Sequence, residues 1–180
     1  VYPVNPKREA VFGIPCYPDV KSLPKTPDLA VIMTAAKWVP QLVKDCGEAG
    51  IHGIIIMSAG FKESGEEGKI LEAQVKAEKA RFPDMRIIGP NCLGILVPGL
   101  NMNVSFAAGM PKKGHVAFIS QSGALCTSVL DWHRKRNSEV YTKHRRSLPL
   151  LGIRRSNMEM NTRSTRASPS WLQKNLLDNQ

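Results

Sequence analysis

Three short loops hold the side chains best suited to chemistry. One carries Met57, Ser58, Ala59 and Gly60, the second runs from Gly89 through Pro90, Asn91, Cys92 and Leu93 to Gly94, and the third runs Ser120, Gln121, Ser122, Gly123, Ala124. The glycines permit positive φ or a close backbone approach, the serines offer hydroxyls, and Asn91 offers two donors and an acceptor. Each loop follows an apolar run, at 51–57, 85–88 and 115–119. A strand that ends in small, donor-rich residues ahead of a helix points backbone N–H groups outward, and such groups receive phosphates and other anions. The chemistry expected is therefore binding of a nucleotide-like ligand. Any single loop is explained as readily by a strand-ending turn, because glycine and serine are common punctuation. Three at one sheet edge favour a ligand.

The elements that must position these loops alternate regularly. Residues 1–4 read as a short strand, with Lys7 in the turn after Asn5 and Pro6, and residues 28–33 are an apolar run short enough for a strand buried on both faces. Residues 36–49 carry Trp38, Val39, Leu42, Val43 and Cys46 at helical spacing, and Gly47 and Gly50 mark the end. Another strand, 51–57, leads to a helix over 66–82 whose inward stripe is read as Ile70, Leu71, Val75 and residues 77–80. Strands over 85–88 and 115–119 follow. Alternating apolar strands and amphipathic helices imply an α/β fold with a parallel sheet and right-handed crossovers. In such sheets ligands sit at the carboxyl ends of the strands, where all three loops fall.

Composition bounds the alternatives. A chain of 180 residues, 42% hydrophobic, can bury one good core and part of a second. No run of about 18 apolar residues is present, and the first residues lack the layout of a secretory signal, so a cytoplasmic setting is expected and the chain is expected to begin inside a longer protein. Cys16, Cys46, Cys92 and Cys126 form no C-x-x-C pair and, with four scattered histidines, match no zinc spacing, so reduced thiols and no metal site are expected. Cys92 as a nucleophile would need a neighbouring His or cation to lower its pKa. A small residue filling a tight turn is the preferred reading.

The net charge of +10 suggests a nucleic-acid partner until its distribution is considered. Residues 1–132 hold 14 Lys and Arg against 12 Asp and Glu, whereas residues 133–180 hold 11 against 3. That last segment has arginines among Ser, Thr and Asn and no sustained period, a composition that seldom offsets the entropy of ordering. Three readings compete: a natural basic tail that binds nucleic acid or acidic lipid, a solvated disordered tail with no partner, and out-of-frame translation.

At this point the residues carry a resemblance. The stretches 28–33, 54–61 (Ile-Ile-Ile-Met-Ser-Ala-Gly-Phe), 86–94 (Arg-Ile-Ile-Gly-Pro-Asn-Cys-Leu-Gly) and 116–125 (Val-Ala-Phe-Ile-Ser-Gln-Ser-Gly-Ala-Leu), followed by Leu130-Asp131-Trp132, resemble the ADP-forming acyl-CoA synthetases, relatives of the succinyl-CoA synthetase α subunit. The resemblance implies a Rossmann-like CoA-binding domain over 1–110, lacking its first strand and Gly-rich loop, and over 111–132 the first βα unit of a flavodoxin-like succinyl-CoA-ligase domain. It implies a ligase, an acetate-CoA ligase type of enzyme, that interconverts acyl-CoA, ADP and phosphate with acid, CoA and ATP through acyl phosphate and phosphohistidine. CoA is the implied cofactor here, with ATP or ADP and Mg belonging to an ATP-grasp domain or β-like subunit as partner. By the same resemblance Lys7, Met57, Ser58, Ala59, Pro90 and Asn91 border CoA, with Ala59 where the succinyl enzymes have Glu. Ser120, Ser122 and Gly123 face the phosphorylated histidine.

The departures are equally specific. The phosphohistidine should lie downstream in a Gly- and Ser-rich loop, and none of His52, His115, His133 or His144 has that setting, so no catalytic residue is assigned and the chain alone is expected to be inactive and to bind CoA weakly. The likeness stops at Trp132, where the composition jumps. An out-of-frame segment ranks first as the reason, a natural disordered tail second and a nucleic-acid arm third. The alternative function is a stand-alone or regulatory CoA-binding module without ligase activity; the segment 120–132 argues for the ligase.

Overall fold

In the computed structural model residues 1–140 are described, all within one compact unit, Val1–Thr142; the basic tail from residue 141, with His144, lies outside the described residues. A small hairpin opens the chain, β1 (Ala10–Val11) pairing antiparallel with β2 (Ile14–Pro15) around Phe12 and Gly13, both at positive φ. Three strands then form the parallel sheet: β3 (Leu29–Ile32), β4 (Gly53–Ile56) and β5 (Arg86–Ile88), in the order β3-β4-β5. The register sets Ile32 against Ile56 and Ile55 against Ile88, so the carboxyl ends of the three strands lie side by side.

The crossovers are α1 (Val39–Glu48), entered through a 3-10 turn at Ala36–Trp38, and α2 (Glu66–Ala80), which packs against it. In α1 the residues at helical spacing face the sheet, with Val39 and Val43 fully buried and Cys46 nearly so. Trp38 does not: it is 58% exposed at the turn before the helix, with the Lys37 ammonium 5.3 Å from its ring centre. In α2 the inward face is Gly68, Leu71, Glu72 and Val75, whereas Ile70 is 58% exposed and Ala77 and Ala80 also face out. The cause is Gly68. A Cβ there would strike the Phe61 backbone, so that contact fixes the rotation of the helix and residues three, four and seven positions on follow it inward. Glu72, buried, pairs with Lys76 at 3.0 Å one turn away.

The core gathers Ile32, Val39, Val43, Ile51, Ile54, Ile56, Phe61, Val75 and Met85 between the sheet and the two helices. Each fully buried aliphatic or aromatic side chain of this kind stabilises the fold by about 1.5–3 kcal/mol. The platform beneath the loops is therefore a well-packed core.

Beyond the sheet an antiparallel hairpin, β6 (Gly94–Val97) with β7 (Met102–Ser105), joins through a 3-10 turn at Pro98–Leu100, and α3 (Gly123–Val140) ends the described region. Two expected strands are absent. Residues 1–4 make only one bridge, Val4 to Tyr17, because Pro3 has no N–H to continue a ladder; the Tyr17 amide donates to the Pro3 carbonyl and the Asn5 amide to the Tyr17 carbonyl. Residues 115–119 are not a strand either, since no described strand runs alongside to pair with them, and Val116, Phe118 and Ile119 are exposed. The helical half of the expected βα unit is present as α3, which continues eight residues past Trp132 and so crosses the boundary expected there. Among the described residues no helix is long and apolar enough to cross a membrane.

Candidate functional site

The site is built where β3, β4 and β5 end. After β3 the chain runs Met33, Thr34, Ala35, all exposed; after β4 it runs Met57, Ser58, Ala59, Gly60; after β5 it runs from Gly89 to Leu93. The β3–β4 ladder extends one step, with the Met57 amide donating to the Ile32 carbonyl at 3.0 Å. The Ser58 hydroxyl then accepts from the Thr34 amide at 3.1 Å, while the Ser58 carbonyl accepts from the Asn91 amide at 2.9 Å. Three loops are thus joined through one residue.

The third loop turns sharply because its backbone must. Gly89 has φ of +97°, and a Cβ there would meet the Ile56 carbonyl and the Cys92 sulfur. Asn91 adopts φ of +51°, which asparagine tolerates better than most residues. The Gly89–Pro90 peptide is cis. Cys92 sits beneath the turn with its Sγ donating to the Ile56 carbonyl at 3.3 Å. Burial pushes its thiol up from the usual cysteine range, the reverse of what a nucleophile needs, and it acts as a small filler.

The loop after β4 uses its outward amides differently from the sequence expectation. The Gly60 and Phe61 N–H groups donate at 2.7 and 3.2 Å to one oxygen of Glu63, so the chain's own carboxylate occupies the anion position there. Burial acts to raise the Glu63 carboxyl, and the amide hydrogen bonds outweigh it, holding it below the usual carboxylate range. Glu63 had no signal in the sequence beyond lying three residues after Gly60.

The third candidate loop forms a helix cap. Ser122 accepts from the Leu125 amide at 3.2 Å through its side chain, while its carbonyl accepts from the Cys126 amide at 3.1 Å; Ser120 in turn accepts from the Ser122 amide at 3.0 Å. This is an N-cap on α3, and it orders the first turn with its positive dipole end outward. A Cβ at Gly123 would lie 3.8 Å from the Leu93 Cβ, so the start of α3 stands near the 89–94 loop. The two glycine-bearing passages are neighbours.

Of the residues expected to border CoA, Ala59 and Asn91 are exposed at the strand ends and Pro90 is half-buried between them. Met57 and Ser58 are 8% exposed, so their side chains belong to the support beneath the shelf. Lys7 is exposed on an Asx turn, its amide donating to the Asn5 side chain at 2.9 Å. The loop Met33, Thr34, Ala35 is a member of the site that the sequence reading passed over; its signal was its place directly after an apolar run. Exposed Met33, Thr34, Ala35, Ala59 and Asn91 give a shelf of mostly small side chains with backbone polar groups, which suits a long, thin, amide-bearing ligand. No group of three or more His, Cys, Asp or Glu that could hold a metal occurs among the described residues.

Comparison with known proteins gives a consistent set of likenesses. The family model described as CoA binding domain matches residues 1–98. An ADP-forming acetate–CoA ligase of Archaeoglobus fulgidus is 44% identical over 143 residues, covering 79% of this chain and 21% of that protein. The α subunit of an ADP-forming acetate–CoA ligase of Pyrococcus furiosus is 48% identical over 130 residues, covering 72% and 28%. Among solved structures, an acetyl-coenzyme A synthetase of Ca. Korarchaeum cryptofilum in complex with phosphate and ADP superposes with a TM-score of 0.66 at 36% identity, covering 73% of this chain and 28% of that one. The chain thus spans less than a third of the length of each of these relatives.

Proposed function

The chain belongs to the CoA-binding domain family, and on that premise we propose that it is the CoA-binding portion of an ADP-forming acyl-CoA synthetase, a ligase that interconverts acyl-CoA, ADP and phosphate with free acid, CoA and ATP. The observation that carries the proposal is the hydrogen-bonded shelf at the ends of β3, β4 and β5. The relatives align over 130–143 residues, beyond the 98 of the family match, which favours the ligase over a stand-alone binding module.

Each part of the shelf has a role that its chemistry supports. Ala35, Ala59 and Pro90 offer shallow apolar contact to a pantetheine arm, and Asn91 can donate to and accept from its amides. Bound CoA supplies the thiol that carries the acyl group. The chain's contribution is to hold that arm against a well-packed edge and to fix its direction toward the start of α3, near Leu93. There the first-turn amides and the helix dipole favour a phosphoryl anion without any side-chain cation. Gly60 and Phe61 take no part in anion binding while Glu63 fills their amides. A partner domain of ATP-grasp type would supply the nucleotide and Mg, and a histidine that is none of His52, His115, His133 or His144 would carry the phosphoryl group. No residue of this chain is assigned as nucleophile.

The test is titration of the full chain with CoA, followed by amide resonances. Saturable shifts are expected at Thr34, Ala59 and Asn91, with binding weak because the shelf meets one side of the ligand. Asn91→Ala is expected to weaken binding about fivefold, the value of one or two polar contacts. Shifts elsewhere, no shifts at all, or an Asn91→Ala chain that binds as the original does would each refute the proposal.

A further inference from the structure

The side chain at the centre of the site is nearly inaccessible to a ligand. Ser58 is 8% exposed, and its hydroxyl is engaged from two sides: it accepts from the Thr34 amide at 3.1 Å and lies 3.5 Å from the Ile32 carbonyl to which it can donate. Its backbone carbonyl takes the Asn91 amide at 2.9 Å. Through its two ends one residue reaches the loops after β3 and β5 while itself belonging to the loop after β4. Alanine or valine at this position would leave the Thr34 amide without that acceptor, and a partly buried N–H that loses its partner turns to water or to another acceptor.

We infer that Ser58 is a positioning residue, a clasp that makes the three strand-end loops move as one unit. The inference rests on the CoA-site reading for its purpose, though not for its geometry. Thr34 and Ala35 on one side and Asn91, with half-buried Pro90, on the other flank Ser58, and the Thr34 and Asn91 amides are each pinned to it. Ligand contacts on the two sides are then set by one buried hydroxyl and one carbonyl. The sequence reading places Ser58 beside the CoA arm; the geometry assigns it to the layer below.

Amide hydrogen exchange on the full chain tests the clasp without any ligand. In Ser58→Ala, exchange at Thr34 and at Asn91 should both accelerate about fivefold, as expected for loss of one net hydrogen bond. The Ala49 amide, bonded to the Asp45 carbonyl at the far end of α1, opens locally without breaking the Ser58 contacts and should change less than about twofold. Ser58→Cys, which keeps the volume and weakens the acceptor, should give the same pattern. The Asn91 readout is decisive, since its own hydrogen bond to the residue 58 carbonyl survives both substitutions. Acceleration at Thr34 alone, at neither amide, or equally at all three would overturn the clasp, and so would outright unfolding of either variant. CoA titration separates the two ideas. Absence of binding by the original chain would refute the CoA-site reading and leave the exchange result to decide the clasp, whereas weakened binding in Ser58→Ala with unchanged exchange would make Ser58 a direct contact and overturn it.

Discussion

At the scale of single residues the polar groups near the site are used mainly to build it. Ser58 ties loops together, Glu63 caps the Gly60 and Phe61 amides, Cys92 fills a turn, and Ser122 caps a helix. Sequence alone raises Ser58, Cys92 and Ser122 as candidates and passes over Glu63, because residue type does not say whether a hydroxyl, thiol or carboxylate is already satisfied. Cys46 gives the clearest test of how burial acts on one group. It is 2% exposed in α1, and burial, with the nearby Asp45 carboxylate adding to it, pushes its thiol from 9.0 up to about 11. The folded chain therefore holds the proton more tightly than the unfolded one. The contribution is fully present below about pH 9 and declines as the pH rises through about 11, by at most roughly 2.7 kcal/mol for two pKa units. Denaturant midpoints measured across that window should fall in the original chain, and fall less steeply in Cys46→Ala, whose baseline stability is lower. Parallel declines would show that the thiol is not the group responsible.

Elements follow from periodicity where a partner exists to receive them. The runs at 28–33, 51–57 and 85–88 became β3, β4 and β5 within two residues at each end, because each finds a neighbour in the sheet and a helix to cover it. Residues 115–119 have the same apolar character and no strand, since backbone groups without a described neighbour cannot form a ladder. The β6–β7 hairpin was not anticipated: its turn carries Pro98, Gly99 and Asn101, but its strands do not alternate between buried and exposed residues, so period two is weak. In α2 the sequence stripe was rotated, because Ile70 outranks Gly68 in hydrophobicity while Gly68 is the one held against Phe61. Gly68→Ala separates these causes. Helix propensity alone would stabilise α2 by about 1 kcal/mol. The Cβ, however, would run into the Phe61 backbone, which cannot rotate away as a side chain could. A net loss of about 2 kcal/mol is expected by thermal or chemical denaturation, in the range of overpacked sites. A gain in stability would show that the contact does not set the helix.

At the scale of the whole molecule two features stand apart from the strand-end shelf. The surplus positive charge lies beyond residue 132, and an exposed apolar set, Phe106, Val116, Phe118, Ile119, Leu125 and Trp132, lies just before it, all 42–71% exposed. The charge asymmetry was legible in the sequence; the apolar exposure was not, because an apolar run ordinarily signals burial. Residues 116–119 combine the two conditions for edge association, backbone groups in no ladder among the described residues and large apolar side chains. The purified chain is therefore expected to self-associate as its concentration rises, read as a growing average mass in sedimentation or light scattering. Phe118→Lys puts a charge within that run, a device that blocks strand pairing, and should reduce the association. Its effect on stability should stay within about 0.5 kcal/mol, as for other exposed positions. Salt distinguishes the apolar cause from the charged one: association through residues 116–119 should persist at high ionic strength, whereas attraction involving the arginine-rich segment should be screened. Unchanged association in Phe118→Lys, or association abolished by salt, would move the cause away from this run; a large loss of stability would mean that Phe118 is packed within the fold.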